Sequence, residues 1–197
     1  MATRFALFAA LTLASTAHAA TLEINFADGL GNREGTAPVT YNVEGVELTA
    51  EGFAGQDARA VHINGETGLG VVGNTQFFEG NRIGPQESLL LTFSQPVALE
   101  RLVTFDEIAL NTQLFFAIIV DGVQAGVFDI TADDENFVSL DVSSVGVGTA
   151  FQIVGLSGGE GFRVTALRAA VVPVPGALAL FAAALGLLGA TRRRLLA

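Results

Sequence analysis

Any chemistry this chain performs must be done with oxygen. It carries 20 Asp and Glu, two His and no Cys, so thiolate nucleophiles, thiolate metal sites and disulfides are excluded. The carboxylates gather in a few loops. Asp133, Asp134 and Glu135 with Asn136 form one cluster, and Asp106-Glu107 and Asp28-Gly-Leu-Gly-Asn32 form two more. Calcium takes about six to eight oxygens from loops of this kind. It is therefore the cofactor that Asp133, Asp134, Glu135 and Asn136 would hold, if they hold any. None of the clusters shows the spaced D-x-D-x-D-G pattern, and a solvated acidic turn is the simpler reading. Zinc needs several His, Cys or carboxylate ligands, and His62 is the single histidine after the first 20 residues. A pair of carboxylates could serve a glycosidase, given a cleft that sets them roughly 5–9 Å apart. Sugar rings favour Trp and Tyr faces, however, and this chain has no Trp and one Tyr, Tyr41; its 15 Phe are read as core.

Two short motifs match catalytic patterns by letter only. Gly68-Leu-Gly70-Val-Val-Gly73 fits G-x-G-x-x-G, but that chemistry needs a helix whose first N–H groups meet a pyrophosphate. Asn74-Thr-Gln-Phe-Phe78 follows instead, without helical periodicity. Gly155-Leu-Ser157-Gly-Gly159 fits the nucleophile elbow G-x-S-x-G, which needs a strand-to-helix turn with an acid and a His after it. His62 comes well before Ser157. Nucleotide binding and hydrolysis through Ser157 are both set aside, and no catalytic residue is expected.

The elements that would position any site read as strands throughout. Short runs rich in Val, Thr, Phe and Ile alternate with Gly, Asn and Asp clusters every ~8–12 residues. Thr21 to Phe26 places Leu22, Ile24 and Phe26 on one face. Val39 to Val43 and Val46 to Ala50 flank Glu44-Gly45 as a hairpin, and Gln113 to Val120 turns through Asp121-Gly122 into Val123 to Ile130. Ser88 to Phe93 is apolar on both sides and reads as a central strand covered on both faces. Pro96 should begin or edge the next strand, Val97 to Phe105. With Ala58 to Ile63, Leu69 to Val72, Phe137 to Val142, Ala150 to Val154 and Phe162 to Val172, about ten strands result. The expected fold is all-β: a single β-sandwich of jelly-roll kind.

Both ends of the chain read differently. Arg4, an apolar run from Phe5 to Ala14 and the small-x-small triplet Ala17-His18-Ala19 predict a signal peptide over 1–19, cut by signal peptidase before Ala20. Residues 20–170 then form the ectodomain, and 171–197 a C-terminal segment. That segment begins with Val172-Pro173-Val174-Pro175-Gly176, continues uncharged to Ala190, and ends with Arg192, Arg193 and Arg194. Val171 to Ala190 as a helix would span ~30 Å, one hydrocarbon core. The arginines would hold its last turn on the cytoplasmic side. With Arg4 and Arg192 to Arg194 set apart, six Arg face 20 acids between Ala20 and Val172, a net charge of −14 against −10 for the whole chain. Nucleic acid, a polyanion, is excluded as a partner.

The Pro motif, apolar helix and arginine cluster together resemble the C-terminal sorting signal of bacterial exosortase substrates, the PEP-CTERM class. V-P-V-P-G looks closest to its VPLPA-CTERM variant, with Val174 where the variant has Leu and Gly176 where it has Ala. The segment Gly68 to Phe105, a G-L-G-V element leading to E-S-L-L-L-T-F and then P-V, is similar to β-sandwich ectodomains that precede such tails. The resemblance implies an exosortase-type membrane protease as partner, with Val172 to Gly176 as the motif it reads. It also implies inner-membrane anchoring before processing, then a place on the cell surface or in the extracellular matrix, often beside exopolysaccharide. Three alternatives stand next to it: a carbohydrate-binding matrix module, a calcium-binding one, and an unprocessed single-pass membrane protein.

Overall fold

The computed structural model describes residues 20–27, 33–35, 38–72, 81–105, 113–131, 136–157 and 161–173. Ala20–Val172 clusters as one compact unit. Its fold is all-β, with thirteen strands and one 3-10 turn, Ser143–Val145, among the described residues. The strands are β1 (Thr21–Asn25), β2 (Arg33–Gly35), β3 (Val39–Val43), β4 (Val46–Ala54), β5 (Asp57–Arg59), β6 (Val61–Asn64) and β7 (Gly68–Val71). Then come β8 (Glu87–Phe105), β9 (Gln113–Val120), β10 (Val123–Thr131), β11 (Phe137–Asp141), β12 (Val147–Ser157) and β13 (Arg163–Val171).

The long strand β8 is the spine. Its first half pairs with β4 on one edge and β12 on the other; its second half pairs with β13 and β11. The partners change over between Phe93, which still faces Leu48, and Val97, which already faces Val171. Pro96 lies in that gap, inside the strand rather than at its start as the sequence suggested. No ladder asks for its missing N–H there, and its carbonyl still accepts Val172 N–H at 3.0 Å. Nineteen residues of straight strand would measure ~60 Å. Yet Ile83, just before β8, exchanges backbone hydrogen bonds with Phe162 at 2.7 and 3.3 Å, and the next residue, Arg163, pairs with Phe105 at the far end of β8. The strand therefore turns back on itself, and both halves of the sheet contribute to one core. Phe116 on β9 meets Phe162 ahead of β13 with ring centroids 5.2 Å apart.

Alternation sets most of this core. Leu22, Ile24 and Phe26 are buried as their spacing predicts, and so are Leu89, Leu91 and Phe93 on β8. Ser88 to Phe93 is central but not covered on both faces: Thr92 points to solvent and Leu90 is half-exposed. Two bulges then reset the phase. Arg101 pairs with Arg168 and Leu99 with Ala169, which leaves Glu100 as an extra residue, so the core side moves from Leu99 to Leu102. Thr165 is the matching extra residue on β13. Both predicted two-residue hairpin turns are present, with positive φ at Glu44 and Gly45 (52° and 82°) and at Asp121 and Gly122 (47° and 85°), the type I′ pattern.

Among the described residues no helix is long and apolar enough to cross a membrane. The expected spanning segment from Val174 onward lies outside the described residues. Val171, read above as its first residue, is the last residue of β13 and pairs with Val97.

Candidate functional site

The first candidate is the place where the chain leaves the sheet. Thr21 to Asn25 of β1 pair with Ala170 to Ala166 of β13, so the start of the unit lies against its last strand. Val171 N–H donates to Ala20 C=O at 2.8 Å and Val172 N–H to Pro96 C=O at 3.0 Å. Beyond these two bonds stands Pro173, half-buried, with no N–H to extend the ladder. Of the predicted sorting residues only Val172 and Pro173 are described. Val174, Pro175, Gly176 and Arg192, Arg193 and Arg194 lie outside, as do Ala17 and Ala19 at the predicted signal cleavage; Ala20 is exposed.

The acidic loops fall largely outside as well. Asp133, Asp134 and Glu135 are not among the described residues, nor are Asp106, Glu107 and Asp28 to Asn32; Asn136 is exposed in the bend before β11. Among the described residues no three His, Asp or Glu side chains gather as metal ligands. His62 is buried on β6, between Glu34 of β2 and Gly70 of β7 in register. Gly68 and Gly70 belong to a fully buried strand rather than a turn. A Cβ on Gly70 would run into the Asn81 carbonyl, and one on Gly68, where φ is +103°, into that of Val164. Close backbone approach, not phosphate, explains these glycines. Ser157 ends β12, and Gly155 packs against the Gly84 backbone. Tyr41 is half-buried edge-on to Phe26 at 5.2 Å, whereas Phe137 keeps 47% of its surface exposed beside Phe105.

Sequence reasoning missed a row of charges across four strands. Glu23, Arg168, Arg101 and Asp141 stand side by side on β1, β13, β8 and β11. Two arginines directly opposite each other repel, and acids answer them on every side. Arg168 Nε lies 2.8 Å from Glu100 Oε2, an ion pair without the alignment of a hydrogen bond, and its Nη1 is 3.9 Å from Glu23 Oε1. The bulge is what brings Glu100 into reach. Asp141 Oδ1 accepts Ser143 N–H at 2.9 Å; its carboxyl is held below the usual range by the Ser143 hydrogen bonds first and by the Arg101 charge in addition. Two open depressions, about 550 and 350 Å³, flank the row and share Arg101 and Arg168. The larger also touches Asn25, Val103 and Ala166. Such a surface sets two adjacent donors between acceptors on either side and holds no concentrated charge of either sign. Only one signal for it exists in the sequence: Arg101 and Arg168, in a strongly acidic domain, both fall within expected strands.

A buried polar cluster sits nearer the end of the sheet. Arg163, only 4% exposed, donates from Nε to Asn81 C=O and from Nη1 to Thr67 Oγ1, both at 3.1 Å. Thr165 Oγ1 donates to Thr67 C=O at 2.9 Å. These bonds tie β13 to the segments on both sides of β7, a structural task. Comparisons with protein-family models and with curated proteins find no match for this chain.

Proposed function

We propose that this chain is an exported, non-enzymatic protein of the cell surface or extracellular matrix, sorted through Val172 to Gly176 by an exosortase-type membrane protease. In this reading its ectodomain is a β-sandwich of jelly-roll kind, and one C-terminal transmembrane helix holds it in the inner membrane until processing. The observation that carries the proposal is the order of features in the tail: two prolines, an uncharged apolar run, then three arginines. The end of β13 supports it. Among the described residues sheet hydrogen bonding runs to Val172, and Pro173, which follows it, has no N–H to donate to a ladder. The doubling back of β8 supports the sandwich.

The test is the intact mass of the protein from surface, medium and inner-membrane fractions of cells that express it. Processing predicts a chain that begins at Ala20 and ends between Val172 and Gly176, with or without an attached group. A chain running from Ala20 to Ala197 in the inner membrane sinks the sorting reading and leaves a plain anchor.

A further inference from the structure

The half-sheet formed by β1, β13, the second half of β8 and β11 has an outer face open to solvent. On β11, Val138 and Leu140 pack against the core, so Phe137, Ser139 and Asp141 point outward, and all three are exposed. In register with them stand Phe105, Val103 and Arg101 of β8. Ala166 and Arg168 of β13, then Asn25 and Glu23 of β1, continue the rows. The face thus has three zones. At one end is the charged row of Glu23, Arg168, Arg101 and Asp141; a low floor of Ala166, Val103 and Ser139 comes next; an aromatic pair closes the other end. Phe105 is buried yet outside the core cluster, and it lies against Phe137 with ring centroids 5.0 Å apart. Phe137 keeps 47% of its surface exposed. The charged groups are accessible as well: the Glu23 side chain is 77% exposed and that of Arg168 43%, and Arg101 is exposed beside them.

We propose that this face binds a neutral polysaccharide, with one sugar ring stacked on Phe137 and hydroxyl groups farther along the chain held by the charged row. Charge selects this ligand. A domain of net charge −14 repels acidic glycans, anionic lipid surfaces and its own copies alike. A cation would meet two adjacent arginines at the centre of the row. An uncharged ligand meets neither obstacle. Hydroxyl groups are donors and acceptors at once, so neighbouring hydroxyls of one ring can take N–H groups from Arg101 and oxygens from Asp141 together. A protein partner would have to bring a mirrored set of charges. One exposed Phe is by itself ordinary. Phe137, however, ends a floor of small side chains that leads to the polar row, and its ring offers a sugar the apolar face that Trp and Tyr would. Four strands ~4.8 Å apart and the run from Arg101 to Phe105 make a platform of ~14 by ~13 Å, longer than one sugar ring. The depression of about 550 Å³ over Arg101, Val103 and Ala166 falls within the usual range of ligand sites, about 300–1,000 Å³. The ligand is therefore a segment of a longer chain. The site belongs to the ectodomain alone and stands or falls independently of the sorting reading.

Affinity electrophoresis tests it, with the full chain in polyoxyethylene micelles, whose headgroups carry no sugar. Native gels hold dextran, pullulan, galactomannan or xyloglucan as neutral probes, and alginate as an acidic one. The expected result is retardation by at least one neutral glycan and none by alginate. Phe137→Ala and Arg101→Gln should each weaken that retardation about tenfold with the melting transition retained, the loss of one stacked ring or one charged donor. Val127→Thr, on the other half of the sheet, should leave it unchanged. If Phe137→Ala does not fold, Arg101→Gln decides alone, since it alters an exposed side chain. A chain that no neutral glycan retards overturns the proposal. So does retardation by alginate at least as strong as by any neutral probe. Retardation that survives Arg101→Gln undiminished, or is lost on Val127→Thr, overturns it too, by placing the contact elsewhere.

Discussion

The Asp121 carboxylate collects three donors from the neighbouring strand: Ala150 N–H at 2.9 Å, Thr149 N–H at 3.1 Å and Thr149 Oγ1 at 3.2 Å. These bonds, the one from Ala150 above all, hold its carboxyl below the usual range. A lowered folded value means that Asp121 stabilises the fold above the ordinary aspartate range and ceases to do so as pH falls through that folded value. Glu87 acts in the opposite sense. Burial raises its carboxyl, against the pull of the Gly84 N–H and the Arg59 charge, so the ionised form is the costly one and its contribution is lost as pH rises. Asp121→Ala should destabilise by about 1 kcal/mol at pH 7, a figure kept low because the site is exposed. The difference should shrink below about pH 4. Urea denaturation at several pH values measures it; a loss independent of pH would show that charge plays no part.

At the scale of elements, what could be read ahead of the structure was what depends on neighbours in sequence. Glu44-Gly45 and Asp121-Gly122 announce their hairpins because type I′ turns demand two positive φ values. The turn at Gly45 has open space around it, so Gly45→Ala adds backbone strain alone, about 1 kcal/mol, whereas Glu44→Asn should be neutral or stabilising. Thermal melts of the two variants check this, and a Gly45→Ala protein as stable as the parent would rule out the I′ turn. The charged row was hidden for the converse reason. It depends on the register of four strands and on one extra residue at Glu100, and neither is encoded in a local pattern. Three consecutive leucines at 89–91 misled for a related reason. An apolar residue carries no mark of which face it serves, and Leu90 belongs to the outer one. The proposed sorting motif rests on a linear order of residues, which requires no register.

For the molecule as a whole, the pairing of β1 with β13 makes the first and last strands each other's support. Removal of Ala20 to Phe26 uncovers β13 and takes Leu22, Ile24 and Phe26 out of the core, each fully buried side chain being worth about 1.5–3 kcal/mol. That truncation should abolish cooperative unfolding, as followed by circular dichroism; a truncated protein with the parent's transition would mean that β1 is dispensable. β13 is also an inner strand, set between the second half of β8 on one side and β1 and β7 on the other. The centre of that half-sheet is thus made of residues from the C-terminal end of the compact unit, the last of that unit to be synthesised. Contacts that span nearly the full chain are slow to form, since the loop entropy must be spent before they return anything. A nascent chain therefore cannot close this fold before Val171 has been made, and until then β1, β7 and the second half of β8 lack the strand they pair with.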